Sequence, residues 1–134
     1  MLHMLGIFQQ SKLRIEVEAP EAAIADSLSR PAQVQKWLLW GRFDSDLPQE
    51  IHPGLTFTSW VGPVAIKHQV EVAGPNCLRL LLSGGIDGFH EWYWGEGWVQ
   101  SRLEGVSLLP LSLGQTLSLL RLKEFLAAKA NSTR

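Results

Sequence analysis

The side chains best suited to move a proton or hold a metal near neutral pH are His3, His52, His68 and His90, because histidine titrates unperturbed in that range. They are scattered. None falls in an HxH, HExxH or Cys–His spacing, so no metal site is expected. Nucleophilic chemistry has no better footing: there is no G-x-S-x-G elbow, and no serine stands out from its surroundings. Cys77, the single cysteine, reads as a small buried hydrophobe with no neighbouring base or cation to activate it. It also excludes an intrachain disulfide. No catalytic residue can be assigned, and no cofactor is called for.

Any chemistry then depends on which polar groups face inward. In "AIKHQVEV" (65–72), Ile66, His68, Val70 and Val72 share one side, while Lys67, Gln69 and Glu71 share the other. This puts His68 on an apolar face, either as a core histidine bonded to backbone or water or as a group touching a ligand. "HEWYWGEGW" (90–98) carries three of the six tryptophans around a Gly-Glu-Gly turn. A three-residue loop with Gly97 in the left-handed conformation would pair Trp94 with Trp98. Trp92 would then meet Gln100, and His90 would meet Arg102, on one side of the hairpin. Phe89, Glu91 and Tyr93 would meet Leu103, Ser101 and Val99 on the other.

Core packing favours the second set inside, because it needs no buried cation. Glu91, Tyr93, Ser101 and His68 become the few polar groups of a pocket, although Glu91 reads equally as a rim residue. Trp92, Trp94, Trp98 and Arg102 are left on an outer surface that a partner could use. Each ring can bury roughly 150–250 Å², more in sum than a soluble monomer normally leaves bare. Arg102 stacked on a ring, the 41–54 loop or a second subunit would supply cover. A bulge at a glycine would reverse the faces and turn the tryptophans into pocket wall.

The elements that position these groups follow from periodicity. "KLRIEVEAP" alternates Leu13, Ile15 and Val17 with Arg14, Glu16 and Glu18, a strand with one buried face. Two short helices follow, the first opened by Pro20 or Glu21 and carrying Ile24 and Leu28. Ser29 is placed to cap the second, Pro31 suits its first turn, and Val34, Trp37 and Leu38 mark its buried stripe. Residues 41–54 read as a loop. Strands are expected at 55–60, with Phe57 facing the pocket, and at 65–72, 77–84, 89–94 and 98–106. Short connections between them imply an antiparallel meander. "LSLGQTLSLLRLKEFLAAKA" is the one long helix. Leu113, Leu117 and Leu120 form one stripe and Leu119, Leu122 and Leu126 another, a wider apolar surface than one sheet face requires. Leu117 and Leu120 are expected to line the pocket, and 131–134 to be a disordered tail.

Composition bounds the partners. The chain has 134 residues, is 46% hydrophobic and carries a formal net charge of −1, which suits a single domain over 1–134. It has no basic stripe, so nucleic acid is not expected. The oily stretch around 106–122 is broken by Pro110, Gly114, Gln115 and Arg121, so stable membrane insertion is not expected either. The first residues lack the features of a signal peptide. A cytoplasmic protein is the reading.

"APEAAIADSLSRPAQVQKWL" resembles the opening signature of the START-like superfamily, also called SRPBCC. Ala19, Pro20, Ile24, Leu28, Pro31 and Trp37 take its places, followed by Pro53-Gly54, Gly74-Pro75-Asn76 and Glu104-Gly105. The resemblance runs over about 8–128. It implies an α+β helix-grip fold: a curved antiparallel sheet of six to seven strands wrapped around the long C-terminal helix, with two short helices after strand 1. It also implies a cavity between the sheet and the 112–130 helix. The expected function is binding, or transport, of a hydrophobic or aromatic small molecule such as a lipid, isoprenoid or polyketide-like compound. Two alternatives stand beside it, an enzyme of the polyketide cyclase/dehydrase type and a protein-interaction module using the tryptophan face. A homodimer is among the partners to be tested.

Overall fold

The computed structural model describes residues 6–38, 42–43 and 46–132; His3 and the last two residues of the tail lie outside them. The sheet begins with β1 (Ile7–Glu16), where Leu13 and Ile15 turn inward and Lys12, Arg14 and Glu16 stay exposed. α1 (Glu21–Ser29) and α2 (Pro31–Trp37) follow. Ile24, Leu28 and Trp37 are buried on their inner sides, and the Trp37 indole N–H donates to the Ser27 carbonyl at 3.0 Å. Pro31 opens α2 as expected, but the cap position is Arg30 rather than Ser29 and no side chain caps it.

Six more strands complete the sheet: β2 (Arg42–Phe43), β3 (Thr56–Val61), β4 (Val64–Ala73), β5 (Cys77–Gly84), β6 (Asp87–Gly95) and β7 (Trp98–Ser107). β2 lies inside the stretch expected to be loop, where two residues are too few to show a period. The strand order is β1-β7-β6-β5-β4-β3-β2, with every neighbour antiparallel. A register shift between Val70 and Val72 ends the alternation of β4. Val70 is buried and Val72 is 40% exposed, so Val72 leaves the inner set. A bulge places two residues against one and turns the following side chain.

The sheet curves around α3 (Leu111–Ser132), which continues through the first residues of the expected tail. Its buried stripe is Leu111, Gln115, Leu119, Leu122 and Leu126, the i, i+4, i+8 spacing of one helix face. Burying each leucine contributes about 1.5–3 kcal/mol. Of the other stripe, Leu113 and Leu120 are 55% and 48% exposed and Leu117 is half-buried. Among the described residues no helix is long and apolar enough to cross a membrane.

Candidate functional site: the chambers under α2 and α3

The hairpin decides what lines the interior. Gly95 pairs with Trp98, Trp94 with Val99, Trp92 with Ser101 and His90 with Leu103. The loop is therefore two residues, Glu96 and Gly97, one fewer than expected. Gly97 still takes a positive φ, 76°. Because side chains alternate, shortening the loop by one residue flips β6 against β7. Trp92 and Trp94 are buried at 6% and 2% exposure and are not an outer partner surface. Glu91 and Tyr93 move to the outer face, while Trp98 and Arg102 stay on that face as expected.

The outer face is a web of paired charges. The Glu91 carboxylate lies 2.6 Å from the Arg79 guanidinium and 3.5 Å from that of Arg102, and it accepts a 3.3 Å bond from the Tyr93 hydroxyl. Arg79 and Arg102 also reach Glu71 and Glu104. Trp98 is covered by the Arg14 guanidinium, 4.1 Å above its ring. A ring left on the surface thus gains a cation–π partner, and that partner is Arg14 instead of Arg102.

On the concave side, two adjoining chambers lie between the sheet and the helices. The larger, about 430 Å³, is bounded by β3–β7 and the start of α3; Ile66, Leu82, Ile86 and Leu103 supply apolar wall. The smaller, about 100 Å³, lies under α1 and α2 and includes Phe57, Leu78 and Leu80. Leu38, Ser59, His68, His90 and Trp92 line both. Of the residues expected to line a pocket, Phe57 and His68 do so. Ser101 is fully buried beneath the wall and bonds residues that line it. Glu91, Tyr93, Leu117 and Leu120 are not among the lining residues.

Polar groups meet in two clusters. His68 stands opposite Phe57 with the rings stacked at 4.7 Å and 7°. Its Nε2 is 2.8 Å from the Ser59 hydroxyl, and its buried Nδ1 has no partner. His90 leans on Trp92 with ring centres 4.7 Å apart, and its Nε2 is 2.8 Å from the Ser101 hydroxyl. Gln115, from α3, donates through Nε2 to the Ser101 hydroxyl at 2.9 Å and to the Ser101 and Ser11 carbonyls at 3.0 and 3.3 Å. Its Oε1 is buried without a partner. Burial drives the His68 pKa down to about 4. Burial, reinforced by the charge His68 would carry, drives that of His90 down to about 3. Both rings are neutral at pH 7.

Three of these groups were not foreseen. His90 was lost with the hairpin register. Ser59 alternates with Phe57, a signal hidden by its small size. Gln115 stands in the sequence as a break in an oily run, yet it falls four residues from both Leu111 and Leu119, on the buried stripe. Among the described residues no group of three His, Cys, Asp or Glu side chains gathers in a way that could hold a metal; His52 lies apart on the surface.

This layout is a helix-grip fold, the architecture that the resemblance of the opening residues implied. No family model matches the chain, and no curated protein does. Solved structures do match. CV1439 from Chromobacterium violaceum superposes with a TM-score of 0.69 at 16% identity, over 87% of this chain and 96% of that one. DynU16, a protein of the dynemicin biosynthetic locus, gives 0.67 at 16% over 88% of this chain and 47% of its own. The chain therefore spans about half the length of DynU16. The Aha1 dimer from Colwellia psychrerythraea gives 0.63 at 16%, over 88% and 96%. At such identities the likeness is one of fold.

Proposed function

We propose that the protein binds a hydrophobic or aromatic small molecule in the chambers under α2 and α3. The observation that carries this is a cavity of about 430 Å³ within the range of ligand sites, mostly apolar with a few polar groups. Rings at Phe57, Trp92 and His90 suit a flat or polyene ligand. The setting of DynU16 in a biosynthetic locus agrees with a polyketide-like compound. Native mass spectrometry of the purified protein, with thermal shifts across a panel of apolar aromatics, tests it. A bound mass or a rise in Tm is expected. An apo mass with no shift from any panel member overturns it.

A cyclase-type reaction on the same ligand would rest on His68 and His90, both neutral at pH 7 and so able to accept a proton. Glu91, on the outer face, takes no part. Turnover lost in His90→Gln with ligand binding kept would support that reading.

A second copy of the chain is the protein partner that β1 suits. Val17 N–H donates to the Gly97 carbonyl, and the uninterrupted pairing of β1 with β7 carries that alternation back along the strand. The backbone groups of Lys12, Arg14 and Glu16 then point off the sheet edge. Along this edge the charges run Lys12, Arg14, Glu16, Glu18. Antiparallel pairing of two copies about Ile15 sets Arg14 against Glu16 and Lys12 against Glu18, in both directions. A dimeric fold neighbour, Aha1, points the same way. Sedimentation equilibrium should find a dimer that Glu16→Arg weakens about tenfold and that Arg14→Glu with Glu16→Arg restores. A wild-type monomer at high concentration overturns the idea.

A further inference from the structure

We infer that the two chambers select a ligand of two parts: a polycyclic body that fills the larger chamber and a short apolar side chain that enters the smaller. This deepens the binding reading and rests on it. Leu80 and Val34 are the residues that limit the length of the side chain.

Volume separates the two chambers. A benzene ring takes a cavity of about 150 Å³. The larger chamber, about 430 Å³, has room for a body of about three fused rings by that measure. The smaller, about 100 Å³, falls short of a single ring. At about 30 Å³ for a water-sized group, it takes a chain of about three carbons.

The order of the chambers sets which part goes where. Pro110 and Leu113, exposed at the start of α3, line the larger chamber, so it opens to solvent there. None of the described residues lining the smaller chamber is exposed, which makes it the inner end. Leu38, Ser59, His68, His90 and Trp92 line both and form the neck between them. The rings of this neck are tied in place. His68 stacks on Phe57 at 4.7 Å and meets the Ser59 hydroxyl at 2.8 Å, and Trp92 stands edge-on to Trp37 with ring centres 6.1 Å apart. A molecule entering from the α3 side leads with its narrow part, and its rings stop at the neck.

Beyond the neck the described lining residues are all apolar. Leu28, Leu78 and Leu80, all buried, line only the smaller of the two chambers, and Val34 joins them half-buried from α2. A polar group at the end of the side chain would lose its water there without a hydrogen bond in return. Each methylene buried instead gains about fourfold in affinity. That gain ends where the leucines begin.

The test titrates the wild-type protein with anthracene and its 2-methyl, 2-propyl and 2-hexyl derivatives, followed by quenching of tryptophan fluorescence. Affinity is expected to rise about fourfold per carbon up to the propyl compound and to rise no further at hexyl. Leu80→Ala, which removes about three carbons of wall, should make hexyl tighter than propyl by about tenfold or more. Val34→Phe, at a half-buried helix position, should erase the propyl advantage while anthracene stays within about twofold of wild type. This second variant decides the matter if Leu80→Ala does not fold. Affinity that climbs steadily through hexyl in the wild type, or that ignores the side chain, overturns the two-part fit and leaves apolar binding standing. So does a propyl limit unchanged in folded Leu80→Ala, or a propyl advantage unchanged in Val34→Phe. If no anthracene binds while other apolar molecules do, the two-part fit falls alone. If nothing apolar binds, both readings fall.

Discussion

The Trp98 indole lies across Gly95, its partner in the β6–β7 register. A Cβ built on Gly95 would sit 2.7 Å from the indole nitrogen and 3.0–3.1 Å from two ring carbons. The ring packs on bare backbone from one side and meets the Arg14 guanidinium at 4.1 Å. This contact helps to hold the two-residue loop. Gly95→Ala should displace the ring and cost about 1–2 kcal/mol, the scale of overpacking, read as a lower urea midpoint. In a Trp98→Ala background the same change should cost almost nothing, a non-additivity that identifies the contact. Equal cost in both backgrounds would place the strain elsewhere.

That contact explains why the fold was legible and the site only partly so. Period-two alternation in β1, β4 and β7, and leucines four apart in α3, are local signals that each segment carries by itself. They yielded the order of the elements along the chain apart from β2, while the helix held in the curve of the sheet was what the START-like resemblance implied. The hairpin faces depended on one residue of loop length, and "WGEGW" permits a loop of two or three. The choice is made by Trp98 lying on Gly95 and by the Glu96 carboxylate accepting the Glu21 N–H at 2.8 Å, which ties the turn to the start of α1. A partner 75 residues away leaves no mark in the hairpin's own sequence. With the loop shortened by one, Arg102 stays outside while Trp92 and Trp94 go in, an outcome the three-residue loop forbids.

Ser101, on β7, joins β6 to α3. Its hydroxyl contacts His90 on β6 and Gln115 on α3, and it is fully buried. Ser101→Ala leaves His90 Nε2 short of a partner and takes from the Gln115 amide the shortest of its three contacts, at about 1–3 kcal/mol. Ser59→Ala, which touches only His68, should cost less. Chemical denaturation of the two variants checks the order, and a Ser59→Ala that is the more damaging would refute it.

Acid should unfold the protein through its two interior histidines. In the unfolded chain each titrates near 6.5, whereas in the folded chain His68 and His90 do so at about 4 and about 3. Above pH 6.5 both states hold them neutral, and this contribution to stability is fully present. Between pH 6.5 and 4 the unfolded chain binds the extra protons, so stability falls as pH falls. Each histidine adds up to about 1.4 kcal/mol per pH unit to that slope, and on the order of 3 kcal/mol in total. Urea unfolding at pH 7.5, 6, 5 and 4.5 should show the decline, and His68→Gln should make it shallower. A flat profile over this interval would mean that neither ring is held neutral by burial.

Glu91 provides the contrast with the interior. Its carboxylate holds Arg79 and Arg102 together on the outer face, with Arg79 also resting on the Phe89 ring at 4.3 Å. Because the cluster is partly exposed, solvent screens it and each pair contributes only about 1 kcal/mol or less. Glu91→Gln leaves two guanidinium groups facing each other across a neutral amide. It should lower stability by about 1 kcal/mol, and by less in high salt, where the arginine repulsion is damped. Ligand affinity should stay within about twofold of wild type, since the carboxylate lies across the sheet from the chambers. Parallel ligand titration and unfolding in low and high salt separate the two effects. A large loss of affinity at unchanged stability would return Glu91 to the site.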